Sequence, residues 1–119
     1  MSRILKYDSN GNLLNVIPQN EELLPLKVPH SITLLQDLDL LCIADRENMR
    51  VVCPEAGFKD FPIGTNPAVT VQEPGMGRIF AVTSYGNKIF AVNGPSLPMV
   101  QIRGSCSIVR GTNVRKILF

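Results

Sequence analysis

Val28-Pro29-His30-Ser31-Ile32-Thr33-Leu34-Leu35-Gln36-Asp37-Leu38-Asp39-Leu40-Leu41-Cys42-Ile43-Ala44-Asp45-Arg46-Glu47-Asn48-Met49-Arg50-Val51-Val52-Cys53 is the stretch on which the fold turns. Ser31 to Leu35 is an apolar run, Gln36 to Asp39 turns it, and Leu40 to Ala44 returns. Asp45 to Met49 makes the next turn and Arg50 to Cys53 the next run. Short apolar runs bounded by polar turn clusters read as antiparallel strands. Pro54-Glu55-Ala56-Gly57 then turns the chain into Phe58 to Phe61. Four short strands joined by tight turns are therefore expected from Ser31 to Phe61.

Upstream, Arg3 to Tyr7 and Leu13 to Ile17 flank Asp8-Ser9-Asn10-Gly11-Asn12. Asn and Gly accept positive φ cheaply, so this is a hairpin signal. Pro18 to Lys27 is expected to be a loop, because Pro25 and Pro29 prevent a helix of any length. Downstream, Pro62 to Gly77 reads as a connector rich in proline and glycine. Arg78 to Thr83 is then a strand, Ser84 to Asn87 its turn, and Lys88 to Val92 the return. Met99 to Arg103 offers a further strand, whereas Gly104 to Phe119 has little period-two order and no element is assigned to it.

The pattern repeats. An offset of 48 lays Ile32-Thr33-Leu34 on Phe80-Ala81-Val82 and Ile43-Ala44-Asp45 on Ala91-Val92-Asn93. An offset of 47 lays Arg3-Ile4-Leu5 on Arg50-Val51-Val52. A period in the forties with about four short strands per repeat is the signature of a propeller blade. The expectation is an all-β chain holding about two and a half blades of a partial β-propeller, over residues 1–103, with 104–119 a divergent tail. Since about four blades are needed to close a ring, such an arc leaves apolar blade faces uncovered.

The 119 residues amount to one small domain with a modest core. With 45% apolar residues the composition is not that of a disordered chain. The net charge of +2 is spread along the sequence, with neither a basic stripe nor interleaved aromatics, which argues against nucleic acid as a partner. No apolar run approaches the roughly 18 residues of a membrane span. Met1 to Tyr7 is too short and polar for a signal peptide and runs directly into a strand pattern, as expected of a chain cut from a longer one.

Three residue types carry candidate chemistry. If Asp45 and Arg50 flank the turn, Cys42 faces Cys53 across the hairpin, within disulfide range. The alternative is two reduced, half-buried thiols; with three cysteines, Cys42, Cys53 and Cys106, at least one stays free or pairs elsewhere. His30 is the chain's single histidine. As a metal ligand it needs partners from outside this chain, because a catalytic zinc takes three protein ligands. Arg46 lies in an Asp-Arg-Glu-Asn turn, where a plain surface ion pair with Glu47 or Asp45 competes with anion binding. Tyr7 and Tyr85 are ordinary amphipathic residues, and Glu21-Glu22 reads as solvated loop. Neither a nucleophile elbow nor a phosphate-cradling loop is found.

Val28-Pro29-His30-Ser31, Leu41-Cys42-Ile43-Ala44-Asp45-Arg46-Glu47-Asn48, Arg50 and Cys53 resemble the lyase domain of the peptidylglycine α-amidating enzymes. Ser2-Arg3-Ile4 with Gly11, and Ile89-Phe90-Ala91-Val92-Asn93-Gly94, extend the resemblance from about residue 2 to about residue 94. The resemblance implies a six-bladed propeller of NHL-type repeats. It also implies cleavage of peptidyl-α-hydroxyglycine to an amidated peptide and glyoxylate. In that family three histidines hold a zinc ion in the central channel, and a calcium ion supports the ring. His30 falls on one zinc-ligand position. Arg46 falls on an active-site arginine that holds substrate and stabilises negative charge as the carbon–nitrogen bond breaks. Cys42 and Cys53 fall on a family disulfide.

The departures carry equal weight. The family's active-site tyrosine, its second arginine, two of its histidines and its calcium ligands have no counterpart here, and Tyr7 does not match the tyrosine. By the resemblance, the isolated chain is expected neither to bind zinc tightly nor to turn over substrate. The family's substrates are peptides extended by a C-terminal α-hydroxyglycine. A formed Cys42–Cys53 bond would place the parent protein in the secretory pathway or outside the cell. Two further expectations compete with the lyase: a non-enzymatic NHL-type module that binds another protein through its propeller face, and a fragment without function.

Overall fold

A computed structural model describes residues 2–58, 68–72 and 75–94, together with the backbone of 103–110 and 113–118. The architecture is all-β. β1 (Ile4–Tyr7) and β2 (Leu13–Ile17) form a hairpin. β3 (Pro29–Leu35), β4 (Leu40–Asp45), β5 (Arg50–Cys53) and β6 (Val69–Val71) form an antiparallel four-stranded meander, each strand pairing with the next. β7 (Arg78–Tyr85), β8 (Lys88–Gly94), β9 (Arg103–Arg110) and β10 (Asn113–Leu118) form a second. Two four-stranded blades and a hairpin make a partial β-propeller.

Alternation along β4 and β5 sets the stacking. Cys42, Ala44, Val51 and Cys53 point one way, into a cluster with Ile79, Val82, Ile89 and Ala91 of the second blade. Ile43 and Val52 point the other way, into a smaller cluster with Leu24, Leu26 and Ile4 of the hairpin. The first blade is thus covered on both faces, which is why β4 reads as a nearly unbroken apolar run.

The blades also meet at their edge strands, β3 and β7. The Thr33 and Ser84 hydroxyls hydrogen-bond at 2.8 Å, and Ser31 Oγ accepts from the Val82 amide at 3.2 Å. Side chains of β3 thereby satisfy backbone groups that β7, as an edge strand, would leave open.

Between β4 and β5 the register is Ile43–Val52, Ala44–Val51 and Asp45–Arg50. Cys42 and Cys53 continue it and are disulfide-bonded, with their Cα atoms 4.1 Å apart. They stand eleven positions apart, so the bond contributes on the order of 2–3 kcal/mol by restricting the unfolded chain.

Three differences from the sequence reading have physical causes. The first blade's fourth strand is β6, inside the expected connector 62–77, because Val69 and Val71 supply a three-residue alternation against Cys53 and Val51. The strand expected over Phe58–Phe61 lies outside the described residues except for Phe58, which is in no strand. Met99 to Gln101 and Ile102 also lie outside them. Arg103 opens β9; residues 104–110 and 113–118, to which the pattern assigned no element, run as β9 and β10, and pairing of β9 to β8 and of β10 to β9 supplies the order that weak alternation does not.

The third difference is the repeat offset. On the second strands the offset is 48, from Asp45 to Asn93, as the pattern suggests. On the first strands it is 50. His30 is skipped in the β3–β4 ladder and Phe80 in the β7–β8 ladder, so these are equivalent bulged positions. The turn Gln36–Asp39 holds two residues more than Gly86–Asn87. A two-residue slip preserves which face each side chain takes, so alternation alone cannot reveal it.

Candidate active site

The strand ends nearest His30 gather four segments at one end of the blades: the start of β3, the turn after β4, the start of β7 and the end of β8. The turn is a single 3₁₀ turn, Arg46–Asn48, closed by Met49 in the left-handed region at φ 51°. Asp45, fully buried, holds it. Its carboxylate accepts from the Lys27 amide at 2.7 Å, Asn48 Nδ2 at 2.8 Å and Arg50 Nε at 2.7 Å. Asn48 Nδ2 and Arg50 Nη2 also donate to the Pro25 carbonyl. The segment entering β3 is therefore tied to the turn leaving β4, and His30 and Arg46 share one frame.

His30 is exposed, and its Nδ1 lies 2.6 Å from the Phe80 carbonyl oxygen. A carbonyl only accepts, so Nδ1 carries the hydrogen and the neutral ring keeps its lone pair on Nε2. The imidazole also meets the Phe80 ring edge-on, with centroids 5.6 Å apart. The Arg46 guanidinium lies over the same ring at 5.6 Å. The two candidate residues thus both contact one aromatic ring from the neighbouring blade.

Arg46 donates from Nε to Glu47 Oε1 at 2.9 Å, and Arg78 Nε lies 3.2 Å from the same oxygen. The surface ion pair anticipated as the plain reading of Arg46 is present. It engages only Nε: among the described residues nothing accepts from the two terminal nitrogens of Arg46. Those nitrogens are the fork that takes a carboxylate in a bidentate grip.

Sequence reasoning missed Phe80, Arg78 and the Asp45 frame, but named Glu47 as a partner for Arg46. The signal for Phe80 was the repeat itself, which puts it on His30 once the unequal turns are aligned. Among the described residues no three His, Cys, Asp or Glu side chains gather as a metal site.

Residues 26–53 match the family model of the NHL repeat, a span that covers β3 to β5 and the turn bearing Arg46. Over 103 residues, 87% of its length, the chain is 59% identical to peptidyl-alpha-hydroxyglycine alpha-amidating lyase 2 of Drosophila melanogaster. The chain is similar to the amidating lyases. A probable lyase of the same name from Caenorhabditis elegans is 37% identical over 100 residues. Peptidylglycine alpha-amidating monooxygenase of Rattus norvegicus is 40% identical over 68 residues, 56% of this chain. The chain spans about a quarter of the two lyases, 25% and 28%, and 6% of the rat enzyme. Among the described residues no helix is long and apolar enough to cross a membrane.

Proposed function

We propose that this chain is the part of a peptidyl-α-hydroxyglycine α-amidating lyase that contributes one metal-binding histidine, His30, and one anion-binding arginine, Arg46. The observation that carries the reading is that His30 Nδ1 is held by the Phe80 carbonyl, which leaves Nε2 its lone pair, beside an Arg46 fork with no acceptor among the described residues, both at one shared ring. A metal-bound histidine usually donates its other nitrogen to a carbonyl or carboxylate, and His30 has that partner in Phe80. The donor chemistry fits zinc, with His30 as one ligand of the three required. The remaining ligands, the calcium site and the other substrate contacts belong to the rest of such a lyase.

The substrate is a peptide ending in α-hydroxyglycine. Its carboxylate is a ligand for the Arg46 fork, held by charge-assisted hydrogen bonds. Cleavage breaks the bond between the hydroxyl-bearing carbon and the amide nitrogen. The hydroxyl loses its proton, the nitrogen gains one, and glyoxylate leaves. Zinc, when bound, supplies Lewis-acid polarisation of the hydroxyl oxygen. Arg46 holds the carboxylate through the step, fixing the reacting carbon and offsetting charge that builds on the oxygen side. Glu47 keeps Nε occupied, so that the terminal nitrogens face the substrate. The Cys42–Cys53 bond suits an oxidising compartment, and we place the protein in the secretory pathway or outside the cell on that ground.

A chimera tests the reading. The matched 103 residues of the fly lyase are exchanged for those of this chain, and glyoxylate release from an α-hydroxyglycine peptide is measured. The chimera is expected to turn over, and His30→Ala or Arg46→Ala to lower kcat/KM by about a hundredfold or more. A folded chimera that is indifferent to both substitutions overturns the assignment. Titrated alone with zinc, the chain is expected to show no sub-micromolar one-to-one binding.

A further inference from the structure

We propose that Phe80 is the positioning residue of this site: its carbonyl fixes the His30 tautomer, and its ring is the platform that sets Arg46 against His30. The role in catalysis rests on the lyase reading; the arrangement itself does not.

Five observations meet at this residue. Phe80 takes the bulged position of its blade that His30 takes in the preceding one. A bulge re-aims one residue out of the ladder, and bulges favour places next to active sites. The Phe80 carbonyl, on the open edge of β7, accepts from His30 Nδ1 at 2.6 Å. Its ring meets the His30 ring edge-on, a geometry that aromatic quadrupoles favour. The Arg46 guanidinium lies over it, 5.6 Å from its centroid, where a cation is attracted to the ring face. Finally, the ring is seated by Gly94. A Cβ built there would fall on the Phe80 ring atoms Cε2 and Cδ2, so no residue with a side chain fits without moving the ring. At the second-strand offset of 48, Gly94 is the counterpart of Arg46. One blade uses the position to present a cation, and the next empties it to admit the ring on which that cation rests.

The consequence is directional. The Phe80 carbonyl holds the hydrogen on Nδ1, so only Nε2 is left to bind a metal. The ring meanwhile holds the guanidinium beside the imidazole while Glu47 holds its Nε.

The test is spectroscopic and uses the 119-residue chain without metal or substrate. Two-bond proton–nitrogen correlation spectra, recorded where His30 is neutral, read its tautomer. Ring-current shifts of the Arg46 side-chain protons read their stacking. The wild type is expected to show His30 as the Nδ1–H tautomer and upfield-shifted Arg46 protons. Phe80→Leu, which keeps bulk and the backbone carbonyl, and Gly94→Ala, which leaves Phe80 intact but displaces its ring, are both expected to abolish the upfield shift while His30 stays the Nδ1–H tautomer. Phe80→Tyr is expected to retain both signatures. A wild-type His30 in the Nε2–H tautomer overturns the proposal even if every variant fails to fold. So does a folded Gly94→Ala protein whose Arg46 proton shifts are those of the wild type. Loss of glyoxylate release from the chimera with these signatures intact would count against the lyase reading and leave the positioning role standing.

Discussion

At the scale of single residues, the site is held by two costs accepted close to His30. Val28 adopts φ 55°, a left-handed conformation that a β-branched residue rarely enters. The conformation turns the chain from the Lys27 amide, fixed on Asp45, into β3. Left-handed backbone costs an L-residue about 1–2 kcal/mol, and glycine gives back about 0.5–1 kcal/mol in unfolded-state entropy. Val28 is half exposed, so little packing is lost. Val28→Gly is therefore expected to stabilise the chain by about 0.5–1 kcal/mol in urea denaturation. The second cost is the burial of Asp45, offset by three donors. Asp45→Ala leaves the Arg50 cation and the Lys27 amide without their acceptor. Removing one partner of a buried pair costs about 3–5 kcal/mol, so this substitution is expected to destabilise far more than any change at Arg46. A midpoint shift worth less than about 1 kcal/mol would show that the turn does not depend on this carboxylate. Neither feature was legible in the sequence: Asp45 reads as an ordinary turn residue, and positive φ is not written in a valine.

At the scale of elements, alternation and turn composition were enough for most of the strands. The β1–β2 turn shows why. Asp8 accepts from the amides of Asn10 and Asn12 and from Asn12 Nδ2 within 2.9 Å, closing the loop that the Asp-Ser-Asn-Gly-Asn run suggests. These bonds, the Asn12 side chain first among them, hold the Asp8 carboxyl below its ordinary value. A carboxyl lowered in the folded state stabilises above its unfolded pKa and loses that contribution as pH falls through the folded one. The hairpin is accordingly expected to loosen on acidification, with amide exchange at Asn12 accelerating below the ordinary aspartate range. Asp8→Asn should remove that acid dependence at neutral-pH levels of protection. Strand pairing was harder to read than strand existence. The Cys42–Cys53 register followed from one symmetric hairpin, whereas the offset between blades did not, because turns of unequal length moved β7 by an even number of residues and left the pattern intact.

At the scale of the whole molecule, His30 and Arg46 were recognisable because their local stretch resembles a known family. Phe80 was not, because it lies fifty residues on and joins them only when the blades stack. Besides the β3–β7 hydrogen bonds, the blades are joined by the apolar cluster around Ile79 and by the Glu47 carboxylate bridging Arg46 to Arg78. Magnitudes decide between them. Ile79 is fully buried between Cys42, Ala44 and the second blade, and trimming such a side chain to alanine costs about 2–5 kcal/mol. The three charged side chains keep 21–43% of their surface in water, where ion pairs are worth about 0–1 kcal/mol and are screened by salt. Ile79→Ala is thus expected to lower unfolding free energy by about 3 kcal/mol. Glu47→Gln should lower it by less than about 1 kcal/mol, with little further response to 1 M salt. The reverse order would mean that the bridge, not the core, joins the blades. Under the expected order Glu47 matters for where Arg46 points rather than for whether the chain folds: Glu47→Gln should weaken substrate binding in the chimera, raising KM, while its melting curve stays in place.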